Sequence, residues 1–205
     1  MARPATDLRA RVLVAARDIF DARGFDGSSL RAIARAARTT IGMIYYYFPT
    51  KDDLWDAVIE EVYQRLVTDV AGILAGPGPL RAQLRRMATH VASLADGDRR
   101  VVRLALRDAL GCAARRQRLF ERFRRGHIPL VLQAVTRAQA AGEVEPGAPP
   151  SMIMFNAAVV VVLSQLVLGD LPLPGLPASG AARIETTLEL LFHGIAGPAA
   201  RTPAR

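Results

Sequence analysis

The sequence predicts an all-α chain, with an N-terminal three-helix domain followed by a larger helical one. Three observations carry that. Half of the 205 residues are apolar, and the alanine and leucine that dominate them favour helix. Apolar residues recur at helical spacing in successive windows, and Gly and Pro cluster between those windows. No run alternates apolar and polar residues as a half-buried strand would. The length suits one large or two small domains and is enough to bury a real core.

The first helix is expected from about Thr6 or Asp7 to Arg23. Leu8, Val12, Ala15, Ala16, Ile19 and Phe20 form its buried face. Gly24 supplies a left-handed C-terminal cap, and Phe25 packs back under the domain. Residues 1–6 read as a mobile arm.

Residues 29–51, SLRAIARAARTTIGMIYYYFPTK, read as two helices around a tight turn. Leu30, Ile33, Ala34 and Ala37 make one apolar stripe, and Ser28 or Ser29 caps its start. Arg38 and Thr39 break the pattern. Thr39 or Thr40 caps a second helix through Ile41 and Ile44 to Tyr47. Pro49 ends it by driving Phe48 out of α geometry. Thr50 caps the next helix, and Asp52 and Asp53 place negative charge in its first turn. A short pair of this kind is the helix-turn-helix, whose second helix enters the DNA major groove.

The stretch resembles the DNA-binding domain of tetracycline-repressor (TetR) type regulators. Phe25, Ser29-Leu30-Arg31, Ile33-Ala34, Gly42 and the run from Ile44 through Pro49 to Leu54 carry the resemblance. It covers about the first quarter of the chain. Three positions depart from the family pattern. Arg38 stands where a turn glycine is usual, so the turn forms without a residue that favours positive φ. Ile41 and Met43 replace polar residues, which favours apolar contacts such as those to thymine methyls.

From Lys51 a long helix is expected to about Leu74, with Leu54, Val58, Val62, Leu66, Val70 and Leu74 as its seam and Trp55 as a packing aromatic. After a Gly-Pro-Gly-Pro loop comes a helix from Leu80 to about Ala95, ended by Asp96-Gly97-Asp98. Helices at about Arg99 to Ala113 and Arg115 to Ala141 follow. Residues 152–169, MIMFNAAVVVVLSQLVLG, hold no charge, the length at which a membrane span is weighed. Asn156, Ser164 and Gln165 interrupt the stretch, and no Lys or Arg anchors its ends. A helix covered on one side by its own core and on another by a second subunit fits better. A last helix is expected over 181–195, and the tail 198–205 is expected to be disordered. The boundaries that result are 1–50 for the helix-turn-helix domain and 51–197 for a ligand-binding and dimerisation domain.

The net charge of +8 suits a polyanionic partner. Eight arginines against four aspartates leave the first 50 residues at +4. Lys51 is the single lysine, and the arginine excess reads as genomic composition. Residues 99–125 hold ten arginines against Asp108 and Glu121, either a solvated face or an entrance for an anionic ligand. Cys112 is the one cysteine, so an internal disulfide is excluded. With His90, His127 and His193 it offers no metal-ligand spacing. The start lacks an apolar signal region, so a cytoplasmic protein is expected.

These readings converge on a dimeric, DNA-binding transcriptional regulator, most simply a repressor. The resemblance implies an unknown small-molecule effector that releases it from a palindromic operator. Ser29, Thr39, Thr40, Ile41, Gly42, Met43, Tyr45, Tyr46, Tyr47 and Lys51 are the expected DNA contacts, and Arg31 is the expected reader of guanine. Met87, Phe120, Phe123, Met154 and Phe155 are candidate effector-lining residues that otherwise serve as core. The expected dimer interface is 152–169 with 181–195. No cofactor, metal or membrane is expected. The rival, an all-helical enzyme, lacks any recognisable catalytic set.

Overall fold

The computed structural model describes residues 5–168, 174–177 and 179–193. Among them every regular element is helical: α1 (Ala5–Arg23), α2 (Leu30–Ala36), α3 (Ile41–Tyr47), α4 (Lys51–Ala75), α5 (Leu80–Ala92), α6 (Asp96–Gly111), α7 (Ala113–Arg125), α8 (His127–Ala140), α9 (Pro150–Ala157) continuing as a π-helical stretch (Ala158–Leu168), and α10 (Gly180–His193). An all-α fold with an N-terminal helix-turn-helix is thus what the chain forms. The proposed tail, the arm's first four residues and Ile195 lie outside the described residues.

Two compact units divide the chain. One takes residues up to 68 together with 95–123; the other takes 69–94 with those from 124 onward. The first has one core, built from Val12, Phe20, Ile33, Ile44, Phe48, Leu54, Trp55, Val58 and Val101 among others. Phe20, Phe25 and Trp55 form an aromatic knot within it, with Trp55 edge-on to both rings at 4.9 and 5.5 Å. Such edge-to-face pairs add to plain area burial. The second unit's core gathers Leu74, Leu80, Leu84, Met87, Val131, Val135, Ala157, Ile184 and Leu188. Its α5–α10 side is tied by the Arg81–Glu189 bridge of 2.7 Å and by Arg85 on Glu185. Among the described residues no helix is long and apolar enough to cross a membrane.

Several element boundaries differ from the expectation. Helix α5 stops at Ala92, because Ser93 closes it with N–H bonds to the carbonyls of Thr89 and His90. The Asp96-Gly97-Asp98 sequence begins α6 rather than ending α5: both carboxylates sit in its first turn, where the helix dipole favours them. Asp98 also receives Arg65 at 2.8 Å. The helix expected from Arg115 to Ala141 is two helices. Gly126 leaves helical geometry (φ −105°, ψ −103°) and α8 starts at His127. Pro129 then falls in the first turn of α8, where its missing N–H costs nothing. The apolar stretch begins at Pro150 and changes from α to π winding after Ala157.

Candidate nucleic-acid interface

The site is built on three short-range locks. Ser29 Oγ accepts the Ala32 N–H at 3.2 Å and starts α2. Thr40 Oγ1 accepts the Met43 N–H at 3.3 Å and starts α3. At α4, Thr50 Oγ1 accepts the Asp53 N–H at 3.0 Å while the Asp53 carboxylate accepts the Thr50 N–H at 2.9 Å, a reciprocal cap.

The turn between α2 and α3 is a Schellman closure. The Thr39 N–H reaches Ala34 O at 2.9 Å and the Arg38 N–H reaches Arg35 O at 3.2 Å. Arg38 occupies the left-handed position with φ 52°. It does without glycine by adopting the strained conformation itself, at roughly 1 kcal/mol. Arg11 of α1 offsets this: its guanidinium donates to Ala37 O at 2.5 Å and to Arg38 O at 3.1 Å. Those carbonyls end α2 and have no partner within the helix.

With the turn held, α3 has an inner and an outer face. Ile44 is fully buried and Phe48 nearly so. Tyr46 is 77% exposed and Tyr45 50%, and the Tyr46 ring stands edge-on to Tyr47 at 5.1 Å. Ser29, Arg31, Thr40 and Gly42 are exposed, whereas Thr39, Ile41, Met43, Tyr47 and Lys51 are partly covered. Ser29, Arg31, Ile41, Tyr45, Thr50 and Lys51 come together around a surface depression of about 560 Å³. The N-terminal ends of α2 and α4 open onto it, and free helix N–H groups favour an anion there.

Lys51 does more than was expected of it. Its ammonium donates to Ser28 O at 2.9 Å and lies 4.3 Å from the centre of the Phe25 ring. It therefore ties the start of α4 to the start of α2, with further N–H donors left over for a phosphate.

Sequence reasoning missed a second set behind this face. Arg118 of α7 bridges Asp52 at 2.6 Å and Asp56 at 3.1 Å. Arg122 bridges Asp56 at 3.7 Å and Glu60 at 2.5 Å, and its carbonyl accepts the Tyr63 hydroxyl at 3.0 Å. Burial raises the Asp56 carboxyl above its ordinary value despite both arginines. At Glu60 burial also opposes ionisation, but hydrogen bonds from Arg122 and Gln64 outweigh it and hold the carboxyl low. The signal was present as spacing: acids at 52, 56 and 60 on one helix, arginines at 118 and 122 on another.

The five candidate effector-lining residues fall in both units. Met87 is buried in the second core and Met154 packs against that core. Phe123 packs on the first core, 5.7 Å from the Tyr63 ring. Phe120 is 56% exposed and Phe155 60%, which corrects their expected place as core. Both lie on outward helix faces, Phe120 next to the buried Leu119 and Phe155 two residues before the buried Ala157.

A family model described as bacterial regulatory proteins, tetR family, matches residues 12–58. The HTH-type transcriptional repressor NicS of Pseudomonas putida is 37% identical over 62 residues, which is 30% of this chain and 29% of NicS. The chain thus matches less than a third of that relative's length. Among solved structures, FadR from Bacillus subtilis in complex with stearoyl-CoA superposes with a TM-score of 0.72 at 21% identity, over 91% of this chain and 99% of FadR. AibR in complex with isovaleryl coenzyme A and operator DNA gives 0.69 at 19%, over 91% and 98%. At such identities these likenesses speak for the fold. Residues 12–58 are thus similar to the helix-turn-helix segment of the tetR family of bacterial regulatory proteins, and the described chain shares its fold with the regulators named.

Proposed function

We propose that the chain is a homodimeric transcriptional repressor that α3 seats in the major groove of a palindromic operator, and that a small-molecule effector releases it. The observation that carries this is the two-sided α3: Ile44 and Phe48 lock it to the core, while Tyr45 and Tyr46 stand in solvent. In this reading Tyr45, Tyr46 and Tyr47 contact phosphates, sugars or thymine methyls. Ser29, Thr40 and Lys51 take phosphates, Arg31 grips guanine, and Ile41 and Met43 meet apolar base edges. Gly42 has nothing nearer than the Thr40 hydroxyl beside it, so the DNA can approach its backbone.

Two subunits set the two reading helices about one DNA turn apart, or a multiple of that. Exposed apolar side chains support the dimer: Met152, Phe155 and Val159 follow one another at helical spacing, and Leu190 is exposed on α10. Such a stripe is what a protein partner covers. The reading head lies within residues 1–50, and the effector and dimer functions lie beyond it. Its work is in the cytoplasm, on DNA, without catalysis.

For the effector we take an acyl-CoA thioester, the ligand class named for FadR and AibR. A ligand releases DNA only by preferring the DNA-incompatible state. The test is fluorescence anisotropy of the protein on labelled DNA from upstream of its own gene, titrated with acyl-CoA thioesters of short and long chain. Release by one chain-length class, with free coenzyme A inactive, is the expected result. No release by any of them contradicts the effector class.

A further inference from the structure

A depression of about 580 Å³ in the first unit lies beside the α1–α2 loop, lined by Arg23, Phe25 and Asp26 and by Arg107, Asp108 and Arg115, among others. None of these belongs to the reading helix. Its link to the DNA face is the Phe25 ring, which is 8% exposed. Lys51 Nζ lies 4.3 Å from that ring's centre and the Arg115 guanidinium 3.7 Å. Lys51, which lines the depression of the DNA face, and Arg115, which lines this second one, thus stand over the same ring.

The charges on its walls are three arginines against two aspartates. Arg115, whose side chain is 14% exposed, faces both acids, at 3.6 Å from Asp26 and 3.9 Å from Asp108. Arg107 Nε lies 3.4 Å from Asp108. Asp108 is largely covered, and Asp26 is 92% exposed. The walls thus carry a surplus of one positive charge; Arg23 and Arg107 are the exposed arginines, and Arg107 shares Asp108 with Arg115. Gly24 lets Arg107 lie against the loop: its φ is 69°, and a Cβ there would sit 3.3 Å from the guanidinium.

We infer that Arg23 and Arg107 hold DNA backbone phosphates beyond those taken by Ser29, Thr50 and Lys51, forming a second phosphate seat that lengthens the footprint of each subunit. The inference rests on the DNA-binding reading above. A DNA strand is a continuous polyanion, so exposed cations one aromatic ring away from the reading face are placed for its next phosphates. Arginine suits the task because its planar fork fits phosphate oxygens in pairs. The seat adds affinity and salt dependence without base preference.

The test compares the full-length wild-type protein, the double variant R23Q/R107Q and the double variant R23K/R107K. Anisotropy is measured at several salt concentrations on upstream DNA that extends well past the footprint, and on the same site trimmed to its half-sites. On long DNA the Gln variant should lose about 1.8 from the salt slope per subunit, about 3.6 for the two-subunit complex, which is roughly a thousandfold in affinity at about 0.15 M salt. It should match wild type on trimmed DNA, and the Lys variant should keep the wild-type slope. An unchanged slope for the Gln variant overturns the seat. So does an equal loss on both duplexes, or a Lys variant whose slope falls as far as the Gln variant's, since either means that the arginines act through the fold. Wild-type protein that binds neither duplex removes the DNA-binding reading and the seat with it.

Discussion

Helix α3 and the α9 face both expose large side chains, and the two exposures differ in chemistry. On α3 the exposed groups are Tyr45 and Tyr46, rings that end in hydroxyls. On α9 and its continuation they are Met152, Phe155 and Val159, with no polar atom to offer. A phosphate or a sugar answers a hydroxyl, whereas a thioether and a phenyl ring answer only another apolar surface. The supports differ as well. Caps, a Schellman turn and Arg11 fix α3 in place, as a surface that reads another molecule requires. On the α9 face the Asn156 amide donates to the Met152 carbonyl at 3.0 Å, a bond within its own helix. The comparison teaches that exposure alone names no partner; the chemistry of the exposed groups and the rigidity beneath them do.

The sharpest way to break the comparison is to put charge on the apolar face. Phe155→Asp should weaken the dimer by about 3 kcal/mol, or more than a hundredfold, seen as monomer by sedimentation at micromolar protein. A variant that stays dimeric would show that α9 is not the interface. On the other surface, Arg31→Ala should cost about 1–3 kcal/mol of discrimination at one operator base pair, read by competition with base-substituted duplexes. Unchanged selectivity would remove Arg31 as the reader. Tyr46→Phe isolates the hydroxyl and should cost about 1 kcal/mol of DNA affinity with the fold intact.

The scaffold under α3 gives a matched pair. Arg38→Gly keeps the φ of 52° without a Cβ and should stabilise the protein by roughly 1 kcal/mol. Arg11→Ala strips the Ala37 and Arg38 carbonyls of their donor and should destabilise it by about as much. Thermal melts that move both variants the same way would contradict this account of the turn.

The smallest effect concerns His127, in the second unit. Burial lowers its imidazole from an ordinary 6.5. The unfolded chain therefore binds the proton more readily than the folded one. Stability from this group is full above about pH 6.5 and falls as pH drops below it toward the lowered folded value. His127→Gln should flatten that acid-side slope in denaturant titrations.

What was legible in the sequence was local. The apolar stripe of α1, the positive φ of Gly24, the caps at Ser29 and Thr40 and the stop before Pro49 each depend on residues within a few positions of one another. The α7–α8 break is written locally too, in Gly126 and Pro129, although the helix expected from Arg115 to Ala141 runs through both. Other features join residues far apart in the chain, and no local pattern announces them. Arg11 on the α2 carbonyls, Lys51 on Ser28 and the Arg118 and Arg122 bridges to α4 are of this kind. The arginines of 99–125 show the consequence. Read along the chain they are a block of unbalanced charge; in the fold, Arg100, Arg115, Arg118 and Arg122 each face an acid of the same unit.

The central claim, that α3 reads a specific DNA site for a two-subunit protein, is tested most directly by fluorescence anisotropy on DNA from upstream of the chain's own gene. The titration is run at several salt concentrations against an unrelated duplex of equal length. The account predicts tight, saturable binding to the upstream DNA with two subunits per site, and much weaker, steeply salt-dependent binding to the control. No binding to either duplex at low salt would contradict it.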